Sequence, residues 1–484
     1  MSRTPLPSPD TPASSFIDAT VALAAGISAL GADIRLLDET DLAGRDPGSH
    51  PLNFGAGLLA MPGNTEALQA LMRLCAERGV PIVPHGGRTG LVGGTISRPG
   101  SLALSTARMN RILDVDPLSR TALVEAGVTL QALQSAAAEH GFEPGIDLGA
   151  RGTATIGGMA ATNAGGIQAF RHGVMRHRVL GLEAVLADGT LYSDLSRVVK
   201  STSGYDLKQL FIGSEGTLGV ITRVVVQLTP LPKARATALL ALPDTEAGLS
   251  TARKLLTEIG GDLLACEIMW GSFLEMNRHA QGTLLPDSFA AAPASLLIEI
   301  AGPDDAAAQS RLDGILAALW DLELILDAVV ATSETRRTAL WHLREDMSVF
   351  EAAYPGHSSF DVSLPPSRIA DWLPKLDQRL SEVEPGLTAL VFAHIADGNL
   401  HIIPRRGDCG PEVKARIGAA ILSDLIPLGG AISAEHGIGE AKRAAFETFV
   451  PHTKRDLMAR VKAALDPEGL LNPGKILPVP ENAA

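Results

Sequence analysis

The chain has 484 residues, a length for two to four domains at about 150 residues each, and 46% hydrophobic against 20% charged residues supply a buried core. A net charge of −13 without any run of Lys or Arg argues against nucleic acid and anionic membrane surfaces as partners. Aromatics at 4% argue against a stacking groove for sugars or single strands, and Cys75, Cys266 and Cys409 are too isolated for a disulfide framework or a thiolate zinc site.

No segment reaches the roughly 18 continuous apolar residues that span a bilayer. Thr20–Ala32 is apolar, but Asp10 and Asp18 precede it where a signal peptide carries basic residues, so an ordinary helix is expected. A soluble, cytoplasmic protein follows from this reading. From 65 to 79, Leu68, Leu71, Met72 and Cys75 recur at helical spacing and Gly79 stops the helix. Strands are predicted at 80–83, 101–105 and 122–127, then a helix over 128–140. Asp188-Gly189 between alternating apolar residues predicts a hairpin over 180–195, and 217–229 reads as strand up to Pro230 and Pro232.

Beyond 232 the texture changes. Strands at 237–242, 296–300, 323–329 and 360–363 alternate with helices near 244–258, 304–319, 333–353 and 366–382, the pattern of an antiparallel sheet covered by helices. Segments 411–428 and 451–465 read as helices, and Pro478 onward as a frayed tail. The expected class is α+β, with one domain over 1–232, a second over 233–465, and a return to the first over 466–484.

Two glycine-rich stretches carry the first chemical signal. His85-Gly86-Gly87-Arg88-Thr89-Gly90-Leu91-Val92-Gly93-Gly94 follows a strand, and Thr155–Gly166 is built of small residues. Glycines let backbone N–H groups converge on an anion because no Cβ blocks the approach, although each stretch taken alone is as readily a tight turn. Two rival nucleotide motifs fail. Gly55-Ala56-Gly57-Leu58-Leu59-Ala60 lacks a preceding apolar strand, and Gly469, Gly474 and Lys475 are followed by Ile476 where a phosphate loop needs Ser or Thr.

The second signal is His394-Ile395-Ala396-Asp397-Gly398-Asn399-Leu400-His401. With Asp397-Gly398 as a two-residue turn, Ala396 opposes Asn399, Ile395 opposes Leu400 and His394 opposes His401. Directly opposed residues share a face with Cβ atoms about 5 Å apart, which places two imidazoles for one divalent cation. Glu435-His436, in Ser433–Gly439, is weak evidence by itself, and the HExxH pattern of metalloproteases is absent. Arg344, in the amphipathic segment Leu340–Ser348, reads by itself as a solvated helical arginine.

Residues 80–94, 149–189 and 203–222 together resemble the FAD domain of the vanillyl-alcohol-oxidase-type flavoproteins. Within that superfamily the chain is similar, from about residue 50 to Pro478, to the branch of D-lactate dehydrogenase, glycolate oxidase and D-2-hydroxyglutarate dehydrogenase. The resemblance implies a two-part FAD-binding domain, an antiparallel-sheet cap domain for substrate and a helical C-terminal segment. It places FAD, held non-covalently rather than through His85, against Pro84, His85, Gly86, Gly87, Arg88, Thr89, Gly90, Gly93 and Gly94. Thr155, Gly157, Gly158, Thr162, Asn163, Gly165, Gly166, Glu215, Gly219, Ile221 and Asn472 complete the implied cofactor set.

The family motifs HxxDGNLH and SAEHG(I)G imply His394, His401 and Glu435 as ligands of zinc, with manganese or iron(II) as alternatives, and His436 as catalytic base. Arg344 is assigned to the substrate carboxylate, with Ser348, Ser359 and Asn399 beside it. Ser359 stands where D-2-hydroxyglutarate-type members carry Lys, which favours a monocarboxylic D-2-hydroxy acid such as D-lactate, with D-2-hydroxyglutarate as the alternative substrate. The implied activity is an FAD- and metal-dependent D-2-hydroxyacid dehydrogenase. Its reduced flavin needs an electron acceptor that no motif names, an electron-transfer flavoprotein, a quinone or a cytochrome being the candidates, and a homodimer is compatible with the chain. A glycolate oxidase-type subunit, a metal-dependent hydrolase and a non-catalytic flavin-binding subunit are the competing classes; the hydrolase leaves 80–222 unexplained, and the subunit has no need of a metal set.

Overall fold

The computed structural model describes residues 13–282 and 285–479. Val220–Gln227, rich in β-branched residues, is the centre of a five-stranded antiparallel sheet. It lies between Thr121–Glu125 and Val179–Val185, with Ile112–Asp116 and Leu191–Asp194 at the edges. The hairpin expected around Asp188-Gly189 is the last of these pairings. A second sheet orders its strands Ile34–Asp38, Leu58–Pro62, Leu102–Ser105, Ile82–His85, the last three mutually parallel. The glycines of Gly55–Ala60 therefore lead into a strand and open no helix.

The helix expected from 65 spans Thr65–Arg78. Asn64 caps it by accepting the Ala67 N–H at 2.8 Å, and Leu68, Leu71, Met72 and Cys75 are fully buried. Gly79 ends it at φ 64°, a conformation without penalty for glycine.

The chain divides into two compact units. Described residues up to Gly166, Gly173–Leu231 and those from Glu435 onward form the first; Ile167–His172 and Pro232–Ala434 form the second. The return to the first unit thus comes at Glu435, about thirty residues before the boundary drawn from the sequence. Helices Arg443–Phe449 and His452–Leu465 belong to the first unit because long-range bonds hold them there. The Lys462 ammonium donates to the Thr217 and Leu471 carbonyls at 2.7 and 2.8 Å, and Glu440 and Ala441 donate to Val92. Ile82 N–H then donates to Leu470, and Asn472 N–H to Ile82, adding the last segment to a sheet edge. Lys475 is buried against Glu440 at 2.7 Å, an ion pair and no part of a phosphate loop. The frayed tail expected from Pro478 lies, past Val479, outside the described residues.

The second unit is built on seven antiparallel strands in the order Asp327–Val330, Ala234–Leu242, Ala294–Gly302, Leu263–Trp270, Ala389–His394, Asn399–Pro404, Phe360–Ser363. Leu263–Trp270 has no counterpart in the sequence reading, yet it is the middle strand. Its near-continuous apolar run lacks the alternation that marks a half-buried strand, because both faces are covered. The single helix expected over 333–353 is two, Glu334–Glu345 and Ser348–Ala353. Asp346 breaks it at ψ 100° and accepts both the Ser348 N–H and hydroxyl, at 3.0 and 2.6 Å.

The register expected at His394 is corrected. His394 pairs with Asn399 and Phe392 with His401, so the connection is the four residues Ile395–Gly398. A two-residue type I′ turn needs positive φ at both central positions, and here only Gly398, at φ 81°, adopts it. Asp397 instead accepts the Asn399 N–H on Oδ1 at 3.1 Å, a side-chain turn that lengthens the loop. The pairing has slipped by two residues, an even number, so both imidazoles remain on one face of the sheet.

Candidate active site

In the first unit, the loop after Ile82–His85 runs against the segment 153–158. A Cβ on Gly87 would stand 2.0 Å from the Thr153 carbonyl oxygen, and one on Gly86 2.6 Å from Thr155 Oγ1. The second glycine-rich stretch is helical, Ile156–Thr162, with Thr155 Oγ1 accepting the Gly158 N–H. Between the two stretches opens a cleft of about 990 Å3 counted to its mouth. It is lined by Pro84, His85, Gly86, Gly87, Arg88, Thr89, Gly90, Gly94, Thr155, Gly157, Gly158, Thr162, Glu215, Gly219 and Ile221, all expected there, and by His436. Gly93, Asn163, Gly165, Gly166 and Asn472 are not among the lining residues. Asn163 and Asn472 shape the walls instead: Asn163 accepts the Arg176 N–H, and Asn472 donates to the Gly94 and Glu215 carbonyls at 3.0 and 2.7 Å. Thr95, Thr106, Leu148 and Ala154 line the cleft without having been singled out in the sequence.

The walls suit a cofactor with a pyrophosphate and a polar ring. At Gly90 a Cβ would meet nothing within 4 Å, so the backbone is bare toward the cleft, and Arg88 brings a half-buried cation whose Nε has no hydrogen-bond partner among the described residues. His85 is 1% exposed, with Nε2 2.9 Å from the Thr95 carbonyl, which fixes Nε2 as the protonated nitrogen. Burial, reinforced by Arg88, pushes its pKa down to about 3. The ring is neutral, and Nδ1, without a partner among the described residues, offers an acceptor.

Glu215 ties the cleft to His436. Its carboxylate accepts the Ile438 and Gly439 N–H groups at 2.7 and 2.8 Å, and its own N–H donates to Ala161. Burial pushes its pKa up, against the pull of those two hydrogen bonds. The turn that follows His436 is thereby fixed to the loop Ser214–Gly216. Glu435 and His436 stand with Oε1 and Nε2 4.0 Å apart.

The second unit assembles the other residues. His394 and His401 lie ring to ring at 5.3 Å in an edge-on arrangement, and His401 stacks on its register partner Phe392 at 4.7 Å. The Arg344 guanidinium sits 4.3 Å above the Phe392 ring. Beside them is Glu267, wholly buried, which sequence reasoning missed: Oε1 is 2.7 Å from His394 Nδ1, and Oε2 accepts from Arg344 Nε and Nη2 at 2.9 and 2.7 Å. Burial alone pushes the Glu267 pKa up, but His394 and Arg344 together bring it below the usual carboxylate range. Its one sequence signal is a lone acid inside an apolar strand.

Asp361, also fully buried, pairs with His401 across the sheet, with a carboxylate oxygen within 4.8 Å of a ring nitrogen. It accepts from Asn399 Nδ2 at 3.0 Å and from the Ala434 N–H at 3.1 Å. Asn399 Nδ2 also donates to Val362, so its amide hydrogens are taken up inside the sheet. Ser348 is exposed and bonded to Asp346, and Ser359 is exposed just before the strand Phe360–Ser363. Two imidazoles on one face with buried carboxylates behind them form a donor set suited to a divalent cation.

Residues 56–194 match the FAD binding domain family, and 231–476 match the C-terminal domain of FAD linked oxidases. The fold resembles 4-ethylphenol oxidase from Gulosibacter chungangensis (TM-score 0.71, 19% identity, 98% of this chain and 99% of that one) and p-cresol methylhydroxylase (0.72, 18%, 97% and 98%). The class is therefore a two-domain FAD-linked oxidoreductase of α+β architecture.

Mitochondrial D-2-hydroxyglutarate dehydrogenase of Bos taurus is 37% identical over 422 residues, 87% of this chain and 77% of that protein. D-2-hydroxyglutarate dehydrogenase of Xanthomonas citri pv. viticola is 35% identical (86% and 88%), and D-lactate dehydrogenase of Archaeoglobus fulgidus 33% (87% and 91%). The chain belongs to this family of FAD-dependent D-2-hydroxyacid dehydrogenases. No helix among the described residues is long and apolar enough to cross a membrane.

Gly87→Ala must move the Thr153 backbone, so it should lose most of its flavin, measured as FAD released per chain on denaturation. Gly90→Ala, whose Cβ meets no protein atom, should keep wild-type thermal stability and lose flavin affinity alone. Full flavin in folded Gly87→Ala would refute the assignment of this loop.

His85 also predicts a pH dependence. Its folded pKa lies below the ordinary 6.5, so the unfolded chain binds a proton that the native one refuses. The stability is fully present above pH 6.5 and is lost as pH falls toward 3, with about 2 kcal/mol gone by pH 5. Unfolding free energies from urea titrations at pH 7 and pH 5 should differ less in His85→Asn than in wild type by that amount, and equal pH slopes would contradict a neutral buried ring.

Proposed function

We propose that the protein oxidises a monocarboxylic D-2-hydroxy acid, D-lactate or a longer homologue, to its 2-oxo acid. His436 is the base, and His394 and His401, with Glu435 added by the family motif, hold a divalent cation, zinc before manganese or iron(II). The observation that carries the reading is His436 on the wall of the glycine-loop cleft. An imidazole there can take a hydroxyl proton beside the cofactor-binding surface, which a non-catalytic flavin subunit does not require.

When bound, FAD supplies a hydride acceptor and the cation a Lewis acid for the substrate hydroxyl. His436 removes the hydroxyl proton, and Glu215 keeps its turn in place through the Ile438 and Gly439 amides. Arg344 binds the substrate carboxylate through the part of its fork that Glu267 leaves, with the guanidinium plane held by Phe392. Binding energy is thereby turned into alignment.

The preference for one carboxylate rests on charge. Arg344 is the only buried Lys or Arg of the second unit among the described residues, and Ser358 and Ser359 supply no cation. A second carboxylate entering a water-poor pocket without a cationic partner costs several kcal/mol. The alternative substrate is D-2-hydroxyglutarate, favoured by the name of the 37% identical bovine relative.

His436→Ala should keep its flavin yet reduce it about 10²–10⁴-fold more slowly under anaerobic mixing with substrate, the loss typical of a general base. Near-normal reduction would assign the base elsewhere. In steady-state assays with an artificial electron acceptor, D-lactate should exceed D-2-hydroxyglutarate in kcat/KM, and Ser359→Lys should move the ratio toward the diacid. A wild-type preference for D-2-hydroxyglutarate would decide for the alternative substrate.

A further inference from the structure

We propose that Glu267 is a positioning residue whose two carboxylate oxygens separately set the tautomer of His394 and the orientation of the Arg344 fork, registering cation ligand and substrate clamp to each other. The inference rests on the roles proposed above for His394 and Arg344 and adds the group that holds both.

The placement comes from the sheet. Glu267 sits in the middle strand Leu263–Trp270, directly across from His394 on the neighbouring strand, so the two side chains share a face. Arg344 reaches the same carboxylate from the helix Glu334–Glu345. The other residues of the strand are apolar or cysteine, and an apolar residue would satisfy a packing role there at least as well as a buried acid.

The division of labour between the oxygens is specific. An ionised carboxylate only accepts, so the 2.7 Å contact at Oε1 makes His394 Nδ1 the protonated nitrogen and leaves the lone pair on Nε2, the form that ligates a metal. Oε2 takes the Nε–Nη2 edge of Arg344, at 2.9 and 2.7 Å, which fixes the plane of the fork and the direction of its remaining nitrogen. Glutamine is isosteric but offers one acceptor and one donor, so it can serve only one partner.

Glu299 provides the control. It is equally buried and collects Arg235, Arg337, Trp341 and Thr237, none of which belongs to the proposed machinery. Glu267→Gln, Glu267→Asp and Glu299→Gln are compared as flavin-loaded proteins in three measurements. These are zinc affinity by competition with a chelator, kcat and KM for D-lactate, and thermal stability. Glu267→Gln should weaken zinc binding about 10–100-fold, the usual effect of losing a carboxylate behind a metal-bound histidine, and should raise KM more than it lowers kcat.

Glu267→Asp keeps the charge at shorter reach and should recover part of both losses. Glu299→Gln should lower thermal stability while zinc affinity and KM stay at wild-type values. If Glu267→Gln behaves like Glu299→Gln, losing stability alone, the acid is structural and the proposal fails. Should Glu267→Gln not fold, wild-type zinc affinity and KM in Glu267→Asp overturn it. A wild-type protein that takes up no zinc would refute the proposed cation site and the His394 arm with it. A KM response to Glu267→Gln would still establish the Arg344 arm.

Discussion

The approach of two backbones without side chains between them is the constraint on which the first unit depends. Gly86 and Gly87 lie so near Thr153, Thr155 and Gly158 that a single methyl group would force main chain apart. That contact sets the width of the cleft and turns Arg88, at φ 55°, and Gly90 toward it. The cleft then inherits a second fixed wall, because Glu215 leaves the same glycine-rich neighbourhood and binds the amides that follow His436. A cofactor surface and an imidazole are brought together by hydrogen bonds that span more than two hundred residues of sequence.

The second unit solves a different problem. Its sheet is apolar through most of its thickness, and packing alone cannot aim a polar group within it. Two buried acids, Glu267 and Asp361, do so by each collecting donors from several elements. In a low-dielectric interior such hydrogen bonds are strong, and leaving any one partner unpaired is costly, so the geometry they impose is stiff. The polar face that carries His394 and His401 is therefore determined by acids set beneath it as much as by the histidines themselves.

Much of this was legible in the residues. The helix at Thr65, the strand pairs around Asp188-Gly189 and the alternation of strand and helix beyond Pro232 were readable because local spacing and caps act within a turn or two. The glycine-rich stretches pointed to an anion cradle, and most of their residues line the cleft. Leu263–Trp270 was not legible, since a strand covered on both faces shows no alternation. The two-residue turn expected at Asp397 gives way to a four-residue loop, because the sequence does not reveal whether Asp397 spends its side chain on the loop.

The sequence by itself determined which groups were available: two glycine-rich loops, two histidines spaced to share a face across a hairpin, an arginine on a helix and a Glu-His pair. The shared face survives the change of register, because a slip of two residues leaves a side chain on the same face. Tertiary structure alone decided which acids stand behind them, where the chain re-enters the first unit at Glu435, and that Glu215 holds the turn after His436. Those outcomes depend on hydrogen bonds between residues far apart in the chain, and a carboxylate's partners are chosen by what folding brings within 3 Å of it.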